Sequence, residues 1–398
     1  MLALLHTALL SLFLIVLTGG MAAADIKKMT PAHNVGGYID VGPTVDYVFQ
    51  PSPFPSELQV ASEQARKQFF QNGHQKNLQD YLKAYPATTA ILAIEAGQIL
   101  YEAYQGAGSE NSEFYSMSIA KSLTSLAAGQ AVCGGLIPSL DQSANKFVPE
   151  FGETPFGHAT VRHLLTMSSG AYQSARSGQP KFTGGIGSNP RTGKPFNGYS
   201  WPIRLGQVTV SDILWGPLWE RIENKNVHSP GDMFIYKGAD TLAISTIVER
   251  RTGKPLAAYF DQMIWQKTGP EGPAHWEADR NGATMASSGF QARLKDWGRL
   301  AVWILKERKQ NTCFAEYLKK ATTTQITFPS TLKTSFRGYG YQWWTDNKRA
   351  PGFWGLGYAG QMLALNPETD KIMIKFSYRQ DAGSGLQFMS IYDQWNKL

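Results

Sequence analysis

Ser118-Ile119-Ala120-Lys121 sets a hydroxyl and a primary amine three residues apart. On a helix that spacing puts both groups on one face, within reach of each other. A serine hydroxyl is a weak nucleophile until a nearby base takes its proton. A lysine amine can be that base once burial or neighbouring cations pull its pKa toward neutrality. The residues around the pair, Tyr115 and Met117 before it and Leu123 and Leu126 after it, are apolar enough to supply such burial. In a first helical turn, the Ser118 backbone N–H and the positive helix end also lie near a developing oxyanion. The chemistry implied is acyl transfer through a serine ester. A lone S-x-x-K is frequent by chance, so its context carries the weight.

The elements around the pair can be read from periodicity. Residues 117–133 have helical spacing, with Ile119, Leu123, Leu126 and Ala127 on one stripe. Ahead of them, 88–104 reads as two β-rich runs hinged at Ala96-Gly97, a hairpin. Residues 63–81 are helical, and helical segments separated by loops dominate from 133 to about 280. Strand character returns at 339–344, 361–365 and 371–378, and 386–395 closes the chain as a helix. Strands at both ends around a helical middle imply an α/β (α+β) fold, an antiparallel β-sheet flanked by helices with a mostly helical domain inserted. The expected division is a signal peptide (1–24), an extended N-terminal arm (25–60), a sheet domain (61–117 with 286–398) and a helical domain (118–285). The helical domain carries a Gly-rich basic insertion at 172–206.

Composition narrows the function classes. The chain has 398 residues, 42% hydrophobic and 17% charged, which excludes disordered and coiled-coil proteins. Lys and Arg number 38 against 31 Asp and Glu, a net charge of +7 without long like-charge runs, so nucleic acid is not the expected partner. Residues 2–17 are almost wholly apolar and lead to Ala22-Ala23-Ala24, the pattern of a signal peptide cleaved after Ala24. An uncleaved anchor is the rival reading. The expectation is a periplasmic or secreted protein, without stable membrane insertion once the signal is removed. An oxidising compartment permits a disulfide but does not require one. Cys133 and Cys313 are read here as two buried free thiols.

Further motifs follow Ser118 in order: 161–170 (VRHLLTMSSG), 230–236 (PGDMFIY), Gly289 ahead of Asp296-Trp297-Gly298, and Gly357-Tyr358-Ala359-Gly360-Gln361. This series resembles the serine β-lactamase and penicillin-binding-protein-like hydrolases over roughly 85–398. It is most similar to the branch of class C β-lactamases, D-aminopeptidases, family VIII esterases and 6-aminohexanoate-oligomer hydrolases. The resemblance implies a β-lactamase/transpeptidase-like fold with the site where sheet and helical domain meet. It implies Ser118 as acylated nucleophile, Lys121 as proton acceptor, and Tyr236 as the tyrosine of a Y-x-N element that protonates the leaving group. Tyr358-Ala359-Gly360 matches the K-T-G element, so the Gln361 N–H pairs with the Ser118 N–H as an oxyanion hole.

Two departures bear on substrate. Gly238 stands where the family has an asparagine, which removes an amide that holds an acylamido arm. Tyr358 replaces a cation that would meet a substrate carboxylate. Both argue against efficient lactam hydrolysis and toward linear amides and small esters as the small-molecule substrate. The basic stretch 172–206 contains no acidic residue and could restore the missing charge as a lid, with Arg176, Lys181, Arg191 and Lys194 as candidates. A literal Lys267-Thr268-Gly269 ends a helical run before Pro270 and reads as a helix C-terminus instead. No cofactor is implied. His158 and His163 lack the i, i+4 spacing of a metal pair, so no metal is expected.

Overall fold

The computed structural model describes residues 45–152, 154–171, 200–204, 206–216 and 228–397. Its centre is an eight-stranded antiparallel sheet built from both ends of the chain. The strands are β1 (Val45–Phe49), β2 (Thr88–Glu95), β3 (Gln98–Tyr104), β4 (Glu113–Tyr115), β5 (Ala274–Ala278), β6 (Phe290–Arg293), β7 (Ile326–Thr327), β8 (Phe336–Tyr339), β9 (Trp344–Asn347), β10 (Phe353–Gly357), β11 (Gln361–Asn366) and β12 (Lys371–Ser377). The large sheet runs β3-β2-β12-β11-β10-β9-β8-β7, and a small one runs β1-β5-β6-β4. Two hairpins follow the turn chemistry of the sequence. Ala96 and Gly97 both have positive φ, 49° and 79°, as a two-residue turn matched to strand twist requires. The Asn366–Asp370 turn joins β11 to β12 in the register Asn366↔Lys371.

Both faces of the central strands are covered, which is why β2 and β12 read as nearly continuous apolar runs. Ile91, Ala93 and Met373 join Phe69 of α1 (Glu63–Gln71), Leu78 and Tyr81 of α2 (His74–Ala84) and Phe388 of the C-terminal helix on the outer face. Leu92, Ile94, Ile372 and Ile374 face the opposite way, into the larger core with Leu123, Trp297 and Leu300. The single helix expected over 63–81 is two, because Gly73 takes φ 79° and breaks the backbone between them.

The helix that follows Ser118, α3 (Ala120–Cys133), is buried on nearly every side. Against it pack α5 (Gly238–Thr252) and α7 (Cys313–Ala321), while α4 (Val161–Leu165) and α6 (Leu294–Arg308) contribute to the same core, with α8 (Ser384–Asn396) on the outer face. Gly129 is where α3 and α7 touch: a β carbon there would lie 2.5 Å from the Tyr317 ring. At that junction the free-thiol reading is corrected. Cys133 and Cys313 form a disulfide with their Cα atoms 5.7 Å apart, tying the end of α3 to the start of α7. The two residues are 180 apart in sequence, so nothing local announced their meeting.

Replacing both cysteines by serine should lower the unfolding free energy by about 2–4 kcal/mol, because the bond restricts a long loop of the unfolded chain. Guanidinium titration checks this. A midpoint unchanged from the parent would show that the cross-link contributes nothing.

Candidate active site

β4 runs into the site through a strained turn. Ser116 N–H donates to the Phe290 carbonyl at 2.7 Å, holding the chain against β6. Met117 then takes φ 47°, a left-handed conformation that costs a non-glycine residue of order 1 kcal/mol or more. That bend throws Ser118 into a 3₁₀ turn (Met117–Ile119) that leads into α3. Ser118 is half-buried while Lys121 is 4% exposed, so solvent reaches the serine and not the amine beside it. Lys121 Nζ donates to Ser118 Oγ at 2.9 Å and to the Ser287 carbonyl at 2.7 Å. The second bond aims the amine at the hydroxyl.

Tyr236 joins this pair. Lys121 Nζ lies 5.2 Å from the centre of the Tyr236 ring, which packs on Trp344 (5.3 Å) and edge-on to Tyr339 (6.3 Å). The backbone on either side is pinned. Ile235 N–H donates to the Met167 carbonyl at 2.8 Å, and Lys237 forms a buried ion pair with Asp240 at 3.3 Å. Ser169 Oγ donates to the same carboxylate at 2.6 Å. Burial pushes the Lys237 ammonium down and the Asp240 carboxyl up, and each is opposed by its partner. Gly238 begins α5 two residues past Tyr236. The i, i+3 spacing of Lys237 and Asp240 is the local signal for this pair.

Tyr358, Gly360 and Gln361 lie where β10 turns into β11. Gly357 pairs with Gln361, and a β carbon on Gly357 would come within 2.6 Å of the Ser116 carbonyl oxygen. The strand end therefore runs against the backbone just ahead of Ser118. Ala359 and Gly360 are both left-handed, φ 64° and 91°, and leave Tyr358 63% exposed. The Gln361 side chain turns away into the sheet. It donates to the Tyr358 and Ser377 carbonyls at 3.0 and 2.6 Å, and accepts from Ser377 N–H at 2.9 Å. Only its backbone is left for the role expected of it.

Arg176, Lys181, Arg191 and Lys194 lie outside the described residues. Arg204, at the end of the same basic stretch, is 3% exposed and committed elsewhere. It forms a bidentate ion pair with Glu277 (2.8–3.2 Å), whose carboxylate also accepts from Tyr115 Oη at 2.6 Å. Lys267-Thr268-Gly269 is the helix end expected of it, with Gly269 as a left-handed cap at φ 67°. Ser287 and Glu277 were not found from sequence. A backbone carbonyl acceptor has no residue signature, and Glu277 meets Arg204 across 73 positions.

Residues 77–387 match the Beta-lactamase family. The chain belongs to that family. It is accordingly an enzyme, a serine hydrolase of β-lactamase/penicillin-binding-protein fold. The 6-aminohexanoate-dimer hydrolase of Paenarthrobacter ureafaciens is 22% identical over 298 residues, spanning 73% of this chain and 72% of the relative. A Bacillus anthracis protein provisionally described as a 6-aminohexanoate-dimer hydrolase superposes with a TM-score of 0.67 at 20% identity, over 89% of this chain and 92% of its own. EstCE1, a hydrolase with promiscuous acyltransferase activity, superposes with a TM-score of 0.61 at 16% identity, over 81% and 98%. At these identities the structural likenesses establish the fold, and this β-lactamase-family member's own residues must carry the chemistry.

Proposed function

We propose that the protein is an exported hydrolase that cleaves linear amide or ester bonds through an acyl-enzyme on Ser118. The observation that carries this reading is the 2.9 Å contact between the buried Lys121 amine and the hydroxyl of half-buried Ser118. In the proposed reaction Ser118 Oγ attacks the substrate carbonyl carbon and its proton passes to neutral Lys121. The oxyanion is held by the backbone N–H groups of Ser118 and Gln361. Tyr236, beside Lys121, delivers a proton to the departing amine or alkoxide and regains one from the Lys121 ammonium. A water then attacks the ester, gives up its proton along the same groups, and frees the acid and Ser118.

Gly238 and the exposed Tyr358 leave out an acylamido amide and a carboxylate-binding cation, which favours linear substrates over lactams. Relatedness to a 6-aminohexanoate-dimer hydrolase supports the same preference. Export is supported by the apolar segment 2–17 and by the Cys133–Cys313 bond, since disulfides persist mainly in oxidising compartments. Mass spectrometry of protein recovered outside the cytoplasm should find a chain beginning at Asp25.

The test of activity has two arms. A fluorophosphonate probe should label one serine, Ser118, in the native chain. A panel of nitrocefin, p-nitrophenyl butyrate, a linear 6-aminohexanoate dimer and a D-amino-acid amide should then rank a linear substrate above nitrocefin by at least about tenfold in kcat/KM, about 1.4 kcal/mol of transition-state binding. Labelling elsewhere, or nitrocefin as the best substrate by a wide margin, would refute the reading.

A further inference from the structure

Gln342 occupies the turn between β8 and β9, where residues 339–344 have strand composition. Its backbone is left-handed at φ 65° and it is 1% exposed. A residue with a β carbon is held there only when its surroundings over-determine it, and they do. Gln342 N–H donates to the Leu165 carbonyl at 3.0 Å. The side-chain amide donates to the Leu164 and Leu165 carbonyls, both at 3.0 Å. Its backbone carbonyl accepts from Ser122 Oγ at 2.7 Å, and Oε1 accepts from Thr241 Oγ1 at 2.8 Å.

These partners lie on the elements that position the reacting groups. Ser122 follows Lys121 on α3. Thr241 lies in the first turns of α5, five residues past Tyr236. Leu164 and Leu165 end α4, and the chain continues to Met167, whose carbonyl holds Ile235 N–H next to Tyr236. α3 and α5 also share apolar core residues such as Leu126, Leu242 and Ile244, and apolar contact resists sliding only weakly because it is non-directional. Hydrogen bonds from both helices to one rigid residue are directional and fix the register.

We infer that Gln342 is a positioning residue for the reaction, setting the separation of Lys121 and Tyr236 and so the passage of the serine proton toward the leaving group. The inference rests on the roles proposed above for Ser118, Lys121 and Tyr236. Gln342 is too buried to meet substrate and acts only through those side chains. Misplacement of a reacting group by about 1 Å costs on the order of 100-fold in rate, so a loosened register should be visible in turnover.

The test uses the full chain with Gln342→Gly, which suits the left-handed backbone while removing the amide. The expected result is kcat lowered about 10- to 100-fold with KM within about threefold. The acid limb of the kcat/KM profile should be displaced, because the coupling of Lys121 and Tyr236 changes. Ser122→Ala and Thr241→Val should be non-additive in kcat in the parent and additive in the Gln342→Gly background. A folded Gln342→Gly protein with parental kcat and pH profile overturns the inference. So does a kcat that falls only in proportion to the folded fraction. Should Gln342→Gly not fold, additivity of Ser122→Ala and Thr241→Val in the parent overturns it. Absence of fluorophosphonate labelling at Ser118 in the parent chain is a separate outcome, which removes the underlying assignment and this inference with it.

Discussion

Ser118→Ala should abolish turnover, lowering kcat by about 10⁴-fold or more, while the thermal midpoint stays near that of the parent. If Ser118 is the nucleophile proposed above, its loss removes the covalent route itself, and losses of that order follow in other serine hydrolases. The fold does not depend on the hydroxyl. Ser118 is half-buried, and Lys121 keeps its bond to the Ser287 carbonyl when Oγ is gone. Lys121→Met should be nearly as damaging, by about 10³-fold or more, because in the proposed mechanism it removes the acceptor of the serine proton while keeping the volume of the stem. Steady-state kinetics on the best substrate of the panel, with circular dichroism for folding, decides both. Retention of a tenth of parental activity by either folded variant would place the chemistry elsewhere.

Lys375→Met should have the largest effect on stability, and the effect should depend on pH. Lys375 is fully buried on β12, its amine 5.8 Å from the ring centres of Tyr81 and Phe388. No hydrogen-bond acceptor among the described residues reaches it. A β carbon on Gly360 would sit 3.0 Å from that amine, so glycine there also makes room for it. Burial holds the Lys375 pKa down to about 7 against the opposing pull of Asp381, far below the ordinary 10.5.

The sign follows from proton counting. Between about pH 7 and 10.5 the unfolded chain binds more protons at this site than the folded one, so stability rises with pH across that window. Each pH unit contributes about 1.4 kcal/mol, and below pH 7 the full penalty of about 5 kcal/mol is present. Lys375→Met removes it. The variant should exceed the parent by several kcal/mol at pH 7, with the gap narrowing by about 2 kcal/mol or more by pH 9. Denaturant titrations at the two pH values measure this. Equal stability at pH 7, or a gap independent of pH, would show that the amine is solvated or paired in the folded protein.

Much of this molecule is governed by neighbours in the chain, and that part was legible from sequence. Three residues along a local helical run, a 3₁₀ turn leading into α3, bring Lys121 within reach of Ser118. The left-handed turn at Ala96-Gly97 and the glycine cap that disqualifies Lys267-Thr268-Gly269 are local for the same reason. Tyr236, named from the ordered motifs, lies beside Lys121 in the structure. What tertiary structure alone decided are contacts between residues far apart in sequence. They include the disulfide across 180 positions, the Ser287 carbonyl that aims Lys121 across 166, and Glu277 under Arg204 across 73. Gln342 shows the limit most clearly. Its flanking aromatic residues have the composition of a strand, yet three helices separated from it by 101 to 220 positions impose a left-handed turn on it. Propensity sums over adjacent residues, whereas those hydrogen bonds exist only once the helices have packed, so no pattern along the chain could record them.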